Sequence, residues 1–137
     1  PCRCGNKGCL ATVASLRAIR GAARQAGLED DLALLSARAA DGHPDALAIL
    51  HRAGTALGVA LAQLVQMIDP AQLVVMIEPD LEQSVFTRVM RQEMEMHVLR
   101  RSGVQMELVL RAPEPDSFAK GAAGLAAKHY LFGENWA

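Results

Sequence analysis

Several things are scarce in this chain of 137 residues, and each scarcity removes a class of function. Net charge is −1, so no broad basic face advertises nucleic acid. Aromatic residues make up only 4% of the sequence, so the core is built from small and branched side chains. Cysteine is missing everywhere after position 9, which argues against a secreted disulfide framework. No apolar run is read as reaching the length of a membrane span, and no charged-then-apolar leader with a cleavage site is present. There is no Gly-x-x-x-x-Gly-Lys phosphate loop, no Ser-His-Asp order and no paired carboxylates beside a nucleophile. Internal repeats and low-complexity segments are also lacking.

What remains is half hydrophobic and rich in Ala, Leu and Val, the composition of a helix-dominated core. The length allows one domain, or one lobe of a two-lobed protein. Clustered, reduced cysteines suit a cytoplasmic location.

All three cysteines, Cys2, Cys4 and Cys9, fall in the first nine residues. Thiolates this close, spaced by Gly5-x-x-Gly8, suit a soft tetrahedral cation, and zinc above others. The glycines supply positive-φ positions for a loop that folds back on an ion, and their N–H groups can bond sulfur. Arg3 and Lys7 would offset part of the thiolate charge. Three ligands leave one corner open, so the chain reads as a fragment that begins inside a metal site. Two other readings stand beside this one: a Cys4–Cys9 disulfide, which strands Cys2, and three inert thiols.

Apolar spacing predicts one helix from Leu10 to Gln25, capped by Thr12 or nearby backbone and ended at Gly27. A second, opened by Glu29-Asp30-Asp31, runs to about Ala40. A third spans about Pro44 to Ile68, with Leu47, Leu50, Leu57, Leu61, Leu64, Val65 and Ile68 as its apolar stripe. Gly54 and Gly58 in its centre predict the close approach of another backbone. Leu73 to Ile77 reads as a strand buried on both faces. A helix from about Leu81 to Arg101 follows, with Val85, Val89, Met90, Met94 and Val98 on one side. Val104 to Leu110 reads as a second strand. A last helix, capped by Ser117, extends to about Leu131, with Gly121 and Gly124 where a ligand or a helix could come close. The tail from Phe132 carries Trp136. The class is α/β, with a strand–helix–strand crossover and a thin sheet.

The remaining polar residues carry less. His43, His51, His97 and His129 show no metal-ligand spacing, although His43 or His51 could fill the open corner. Glu78 and Asp80 read as a helix cap and a solvated acid. Met90, Met94, Met96 and Met106 read as core or interface filler.

Taken in order, these residues resemble the ROK family of sugar-responsive repressors and sugar kinases. The match runs through Cys2-x-Cys4-Gly5-x-x-Gly8-Cys9-Leu10 and Val13-Ala14-Ser15. It continues through the long Ala/Gly helix, Asp69-Pro70-x-x-Leu73-Val74-Val75 and Gly121-Ala122-Ala123. The resemblance implies the C-terminal part of an actin-like ATPase, or ribonuclease H-like, fold. On this reading residues 1–137 are one fragment of the C-terminal lobe and residues 1–9 a zinc loop. It implies that Cys2, Cys4 and Cys9 hold a structural zinc whose fourth ligand is a histidine upstream of this chain, with partial metal occupancy expected without it. It also implies a homo-oligomer, a sugar or sugar-phosphate effector in the full-length protein, and DNA contact only through an N-terminal domain. No catalytic or nucleotide-binding residue is assigned, and Gly121 and Gly124 are the candidate ligand-proximal positions.

Two departures from the family pattern favour the regulator branch over the kinases. Ala11 stands where the family has an acidic sugar contact. Met76-Ile77-Glu78 stands where the kinases have a Gly-Gly pair against adenosine. The expectation is therefore a non-enzymatic, effector-sensing and oligomerising portion of a transcriptional regulator. The alternatives are the C-terminal part of a glucokinase-like sugar kinase and a stand-alone zinc-stabilised interaction module.

Overall fold

In the computed structural model the described residues are 2–98 and 106–133. The organising element is one long helix. The chain runs α1 (Ala11–Ala14), α2 (Leu16–Gln25), α3 (Leu32–Ala40), α4 (Pro44–Ile68), β1 (Gln72–Met76), α5 (Pro79–Glu82), α6 (Val85–His97), β2 (Glu107–Arg111) and α7 (Ser117–Phe132). The first three helices and α6 all pack against α4.

The expected single helix from Leu10 to Gln25 is two helices. Ser15 adopts extended backbone, and its hydroxyl accepts from the Ala18 N–H while donating to the Ala11 carbonyl at 2.6 Å. It is thus the N-cap of α2. Thr12 caps nothing; its hydroxyl donates to the Cys9 carbonyl at 2.7 Å. Gly27, at φ 72°, follows the end of α2 as expected. Asp31 caps α3 by accepting from the Leu34 N–H at 2.9 Å. Ion pairs from Arg24 to Asp30 and from Arg38 to Glu29 tie the connection between α2 and α3.

Pro44 begins α4, and Asp69, left-handed at φ 52°, ends it. Its buried face differs from the expected leucine stripe. Ala46, Leu50, Ala53, Gly54, Gly58, Ala62 and Val65 are buried, whereas Leu47 and Ile68 are exposed. Small residues win because they let α6 lie close. A Cβ on Gly54 would sit 2.5 Å from the Phe86 carbonyl oxygen, and one on Gly58 would sit 2.7 Å from the Glu93 Cβ. Backbone-to-backbone approach at both glycines is as expected. The same small residues make α4 apolar enough, at mean hydropathy 1.4, to pass for a membrane span by length and composition. This corrects the expectation that no such run exists. In this fold the helix is instead the core of a helical cluster, with Leu50 and Ala53 packed against Ile19, Leu35 and Met90.

The expected helix from Leu81 to Arg101 is also interrupted. Gln83 and Ser84 separate α5 from α6, because the Ser84 and Thr87 hydroxyls each donate to the Leu81 carbonyl at 2.7 Å and fix a turn there. The helix ends at His97, and residues 99–105 lie outside those described, as does the start of the expected strand at Val104. Trp136 lies outside them too.

The two strands are parallel, with Gln72 beside Glu107 and Met76 beside Arg111. The crossover between them is α5 and α6, which gives the strand–helix–strand unit. Leu73, Val75, Leu108 and Leu110 turn toward α4 and α6. The opposite face is open: Val74 is 53% and Met76 49% exposed. β1 is therefore covered on one face, not two, in the described structure. The final helix, α7, is exposed along its length after the half-buried Ser117. Ser117 is its first residue, and no side chain caps it.

Candidate metal centre

The first loop brings three thiols together through its own backbone. The Gly5 N–H donates to the Cys2 carbonyl at 3.0 Å, and the Cys2 N–H donates to the Asn6 carbonyl at 2.9 Å. These bonds curl the chain back on itself. Gly5 at φ 87° and Gly8 at φ 78° take conformations that side chains disfavour, and they open and close the curl. The Cys9 carbonyl then accepts from both the Thr12 N–H and the Thr12 hydroxyl. Those two hydrogen bonds to one oxygen fasten the loop to the start of α1, and α1 rests on α4.

The outcome is a compact donor set. The sulfurs of Cys2, Cys4 and Cys9 all lie within 4.8 Å of one another. Cys4 and Cys9 are in hydrogen-bond contact at 3.5 Å. Cys4 is exposed, and the other two are half-buried. Three converging thiols on a glycine-hinged loop fit a soft cation; a hard oxygen-loving ion would find no carboxylate in the group. Among the described residues no histidine or acid joins these sulfurs. His43 stands at the start of α4, with its Nδ1 buried and without a described hydrogen-bond partner. His51 is exposed on α4, and His97 bonds the Glu93 carbonyl at 2.8 Å.

The thiols are electrostatically unequal. The Asn6 backbone N–H, together with hydrogen bonds from the Cys9 and Cys2 thiols, holds Cys4 below the usual thiol range. Cys9 is pushed up by its hydrogen bonds to Cys4 and Cys2, which favour the protonated donor. Of these two, Cys4 is therefore the thiol that ionises at the lower pH.

The other positions singled out in the sequence fall elsewhere. Gly121 and Gly124 lie on exposed α7, and a Cβ on either would meet nothing within 4 Å. Among the described residues, no close helix packing accounts for them there. Ala11 is exposed at the first residue of α1. Met76 closes β1, and the Ile77 N–H extends the ladder by donating to the Arg111 carbonyl at 2.9 Å while its side chain is buried. Glu78, half-buried, caps α5 without a side-chain bond, and the Asp80 carbonyl accepts the Ser36 hydroxyl. Of the four methionines read as filler, Met90 and Met94 are core, whereas Met96 is exposed. Sequence reasoning missed Ser15, whose cap places the cysteine loop and α1 at their angle to α2; the serine lies inside an unbroken apolar period.

Comparison with known proteins gives a consistent answer. The model of the ROK family matches residues 1–129. Among solved structures, the chain is similar to a ROK family transcriptional regulator described as a homologue of the E. coli MLC protein. The identity is 31% and the TM-score 0.66, over 89% of this chain and 34% of that one. The chain therefore spans about a third of the length of that regulator. No curated protein sequence matches.

Proposed function

Because the chain belongs to the ROK family, with its actin-like ATPase fold, we propose that it is the effector-sensing and oligomerising portion of a sugar-responsive transcriptional regulator. The single observation that carries this reading is the 31% identity and shared fold with a ROK transcriptional regulator across most of the chain. Cys2, Cys4 and Cys9 hold a structural zinc, supported by the convergence of their sulfurs. A histidine supplied upstream completes the tetrahedron. A site closed by four N and S ligands leaves no place for a reactive water, so the ion's contribution is to stabilise a polar loop too short to fold alone.

The loop's physical role follows from its attachments. It is bonded to α1 through Thr12, and α1 packs on α4. Any segment that shares the ion is thereby held against the core helix. Occupancy of a sugar cleft beside that segment then alters lobe geometry, and the change passes to DNA-binding arms elsewhere in the full-length protein. The effector is a sugar or a sugar phosphate, and the protein acts in the cytoplasm as an oligomer. The exposed apolar residues of α7, including Phe118, Leu125 and Leu131, are surface that self-association would cover.

A regulator, not a kinase, is the reading that the residues around β1 favour. Met76 and Glu78 carry side chains where nucleotide would need bare backbone, and Glu78 adds a charge that repels phosphate. Ala11 offers no acceptor to a sugar hydroxyl. The test uses the full-length protein. Sugar-dependent release from its own promoter DNA, with no ATP binding by calorimetry, is expected. ATP-dependent phosphorylation of a sugar would overturn the reading. A folded, monomeric, zinc-loaded protein that binds neither DNA nor sugar would point instead to a stand-alone interaction module.

A further inference from the structure

The cysteine loop is built for a second reaction. Cys4 Sγ and Cys9 Sγ are 3.5 Å apart, only about 1.5 Å beyond a covalent S–S bond. The four residues between them are all exposed, and a Cβ on Gly5 or Gly8 would meet nothing within 4 Å. Among the described residues, nothing packs against either glycine to resist the small closure that a bond requires. Cys4 is the exposed sulfur and Cys9 the half-buried one, so an oxidant in solution reaches Cys4 first. Cys2 is a poor partner for Cys4, since a single residue separates them and the ring would be strained.

We propose that Cys4 and Cys9 are a peroxide-sensitive dithiol, Cys4 attacking and Cys9 resolving, whose oxidation is mutually exclusive with metal retention. The Cys4 thiolate attacks a peroxide oxygen, the O–O bond breaks, and a sulfenic acid forms as hydroxide leaves. The Cys9 thiolate then attacks that sulfur and expels a second hydroxide. Two thiol protons neutralise the hydroxides, so two thiols and one hydrogen peroxide give one disulfide and two waters. The sulfurs together lose two electrons and the peroxide gains them. Afterwards Cys2 is the one sulfur of the three left outside the bond, and a lone sulfur ligand does not hold the ion. Cys9 is also the residue whose carbonyl fastens the loop to Thr12, so the bond pulls directly on the start of α1. The metal half of this proposal rests on the zinc reading above; the thiol half rests on sulfur geometry alone.

The test treats full-length, zinc-loaded protein with hydrogen peroxide, follows released zinc with a chromogenic chelator, and maps peptides without reduction after alkylation. The expected result is a Cys4–Cys9 crosslink, alkylated Cys2, one zinc released per crosslink, and recovery on adding dithiothreitol with zinc. In Cys9→Ser, checked for folding by circular dichroism, the crosslink is absent and dimedone traps a sulfenic acid on Cys4. Repeating the mapping on chelator-stripped protein separates the two halves. A crosslink there with no zinc in the purified protein keeps the dithiol and removes the metal. A crosslink through Cys2, or full alkylation of all three thiols after peroxide, overturns the proposal.

Discussion

Gly58 on α4 lies so close to Met90 on α6 that a Cβ added to the glycine would overlap the Met90 carbonyl oxygen. Backbone meets backbone at this point, and no rotamer change can relieve the clash. Gly58→Ala is therefore expected to destabilise the protein by about 1–3 kcal/mol, the cost of overpacking. That outweighs the gain of about 1 kcal/mol that alanine brings to a helix interior. The control is Gly21 on α2, where a Cβ would come no nearer than 4.0 Å to the Arg24 side chain. Gly21→Ala is expected to stabilise by about 0.5–1 kcal/mol. Urea denaturation of both variants reads the opposite signs, and equal signs would refute the packing argument.

Met90 itself is fully buried, between α4 and the helices that precede it. Met90→Ala is expected to cost about 2–5 kcal/mol, from lost transfer energy and the cavity left behind. Met96, 62% exposed on the same helix, is expected to tolerate alanine within about 0.5 kcal/mol. Thermal unfolding compares the pair.

Ser15→Ala removes the only side-chain acceptor at the start of α2. The expected loss is about 1 kcal/mol, and Ser15→Asp, which restores an acceptor, is expected to recover most of it. If the alanine variant matched wild type in denaturant, the break between α1 and α2 would owe nothing to this cap.

The inequality of the thiols predicts a pH order. Cys4 is held below and Cys9 above the ordinary thiol range. In metal-stripped protein, the thiolate of Cys4 thus appears at lower pH, and alkylation of Cys4 rises before that of Cys9 as pH increases. Peptide mapping after brief iodoacetamide pulses measures the order. Simultaneous labelling would mean that the hydrogen bonds of the loop do not persist in solution.

Much of this architecture was legible from residue order. The limits of α4 follow from Pro44 at its first turn and Asp69-Pro70 at its end, because proline admits only one kind of position at each. Gly54 and Gly58 announced a close neighbour because glycine, a poor helix former, otherwise has no reason to stand mid-helix. The cysteine cluster was legible too, since nearby thiols on a glycine-rich loop have little freedom to point apart. The breaks at Ser15 and Ser84 were hidden: apolar spacing continues through both, and a serine hydroxyl can cap a new helix or sit harmlessly within an old one. The exposed faces of β1 and α7 were illegible for a different reason. Hydrophobicity says that a face wants cover, not which segment of chain supplies it.

The pairing of β1 with β2 has a consequence for how the molecule assembles. Parallel strands cannot meet through a tight turn, so Gln72 and Glu107 pair only across a crossover, in which α6 is the helix that packs on α4. The α4–α6 seam and the ladder bridge similar stretches of chain, Gly54 meeting Met90 and Gln72 meeting Glu107, so neither is the more local contact. Gln66, whose amide donates to the His97 carbonyl at 2.8 Å, latches the far ends of α4 and α6 just before β1 begins. Slackening that latch would loosen the helical seam and the registry of the strands beyond it together.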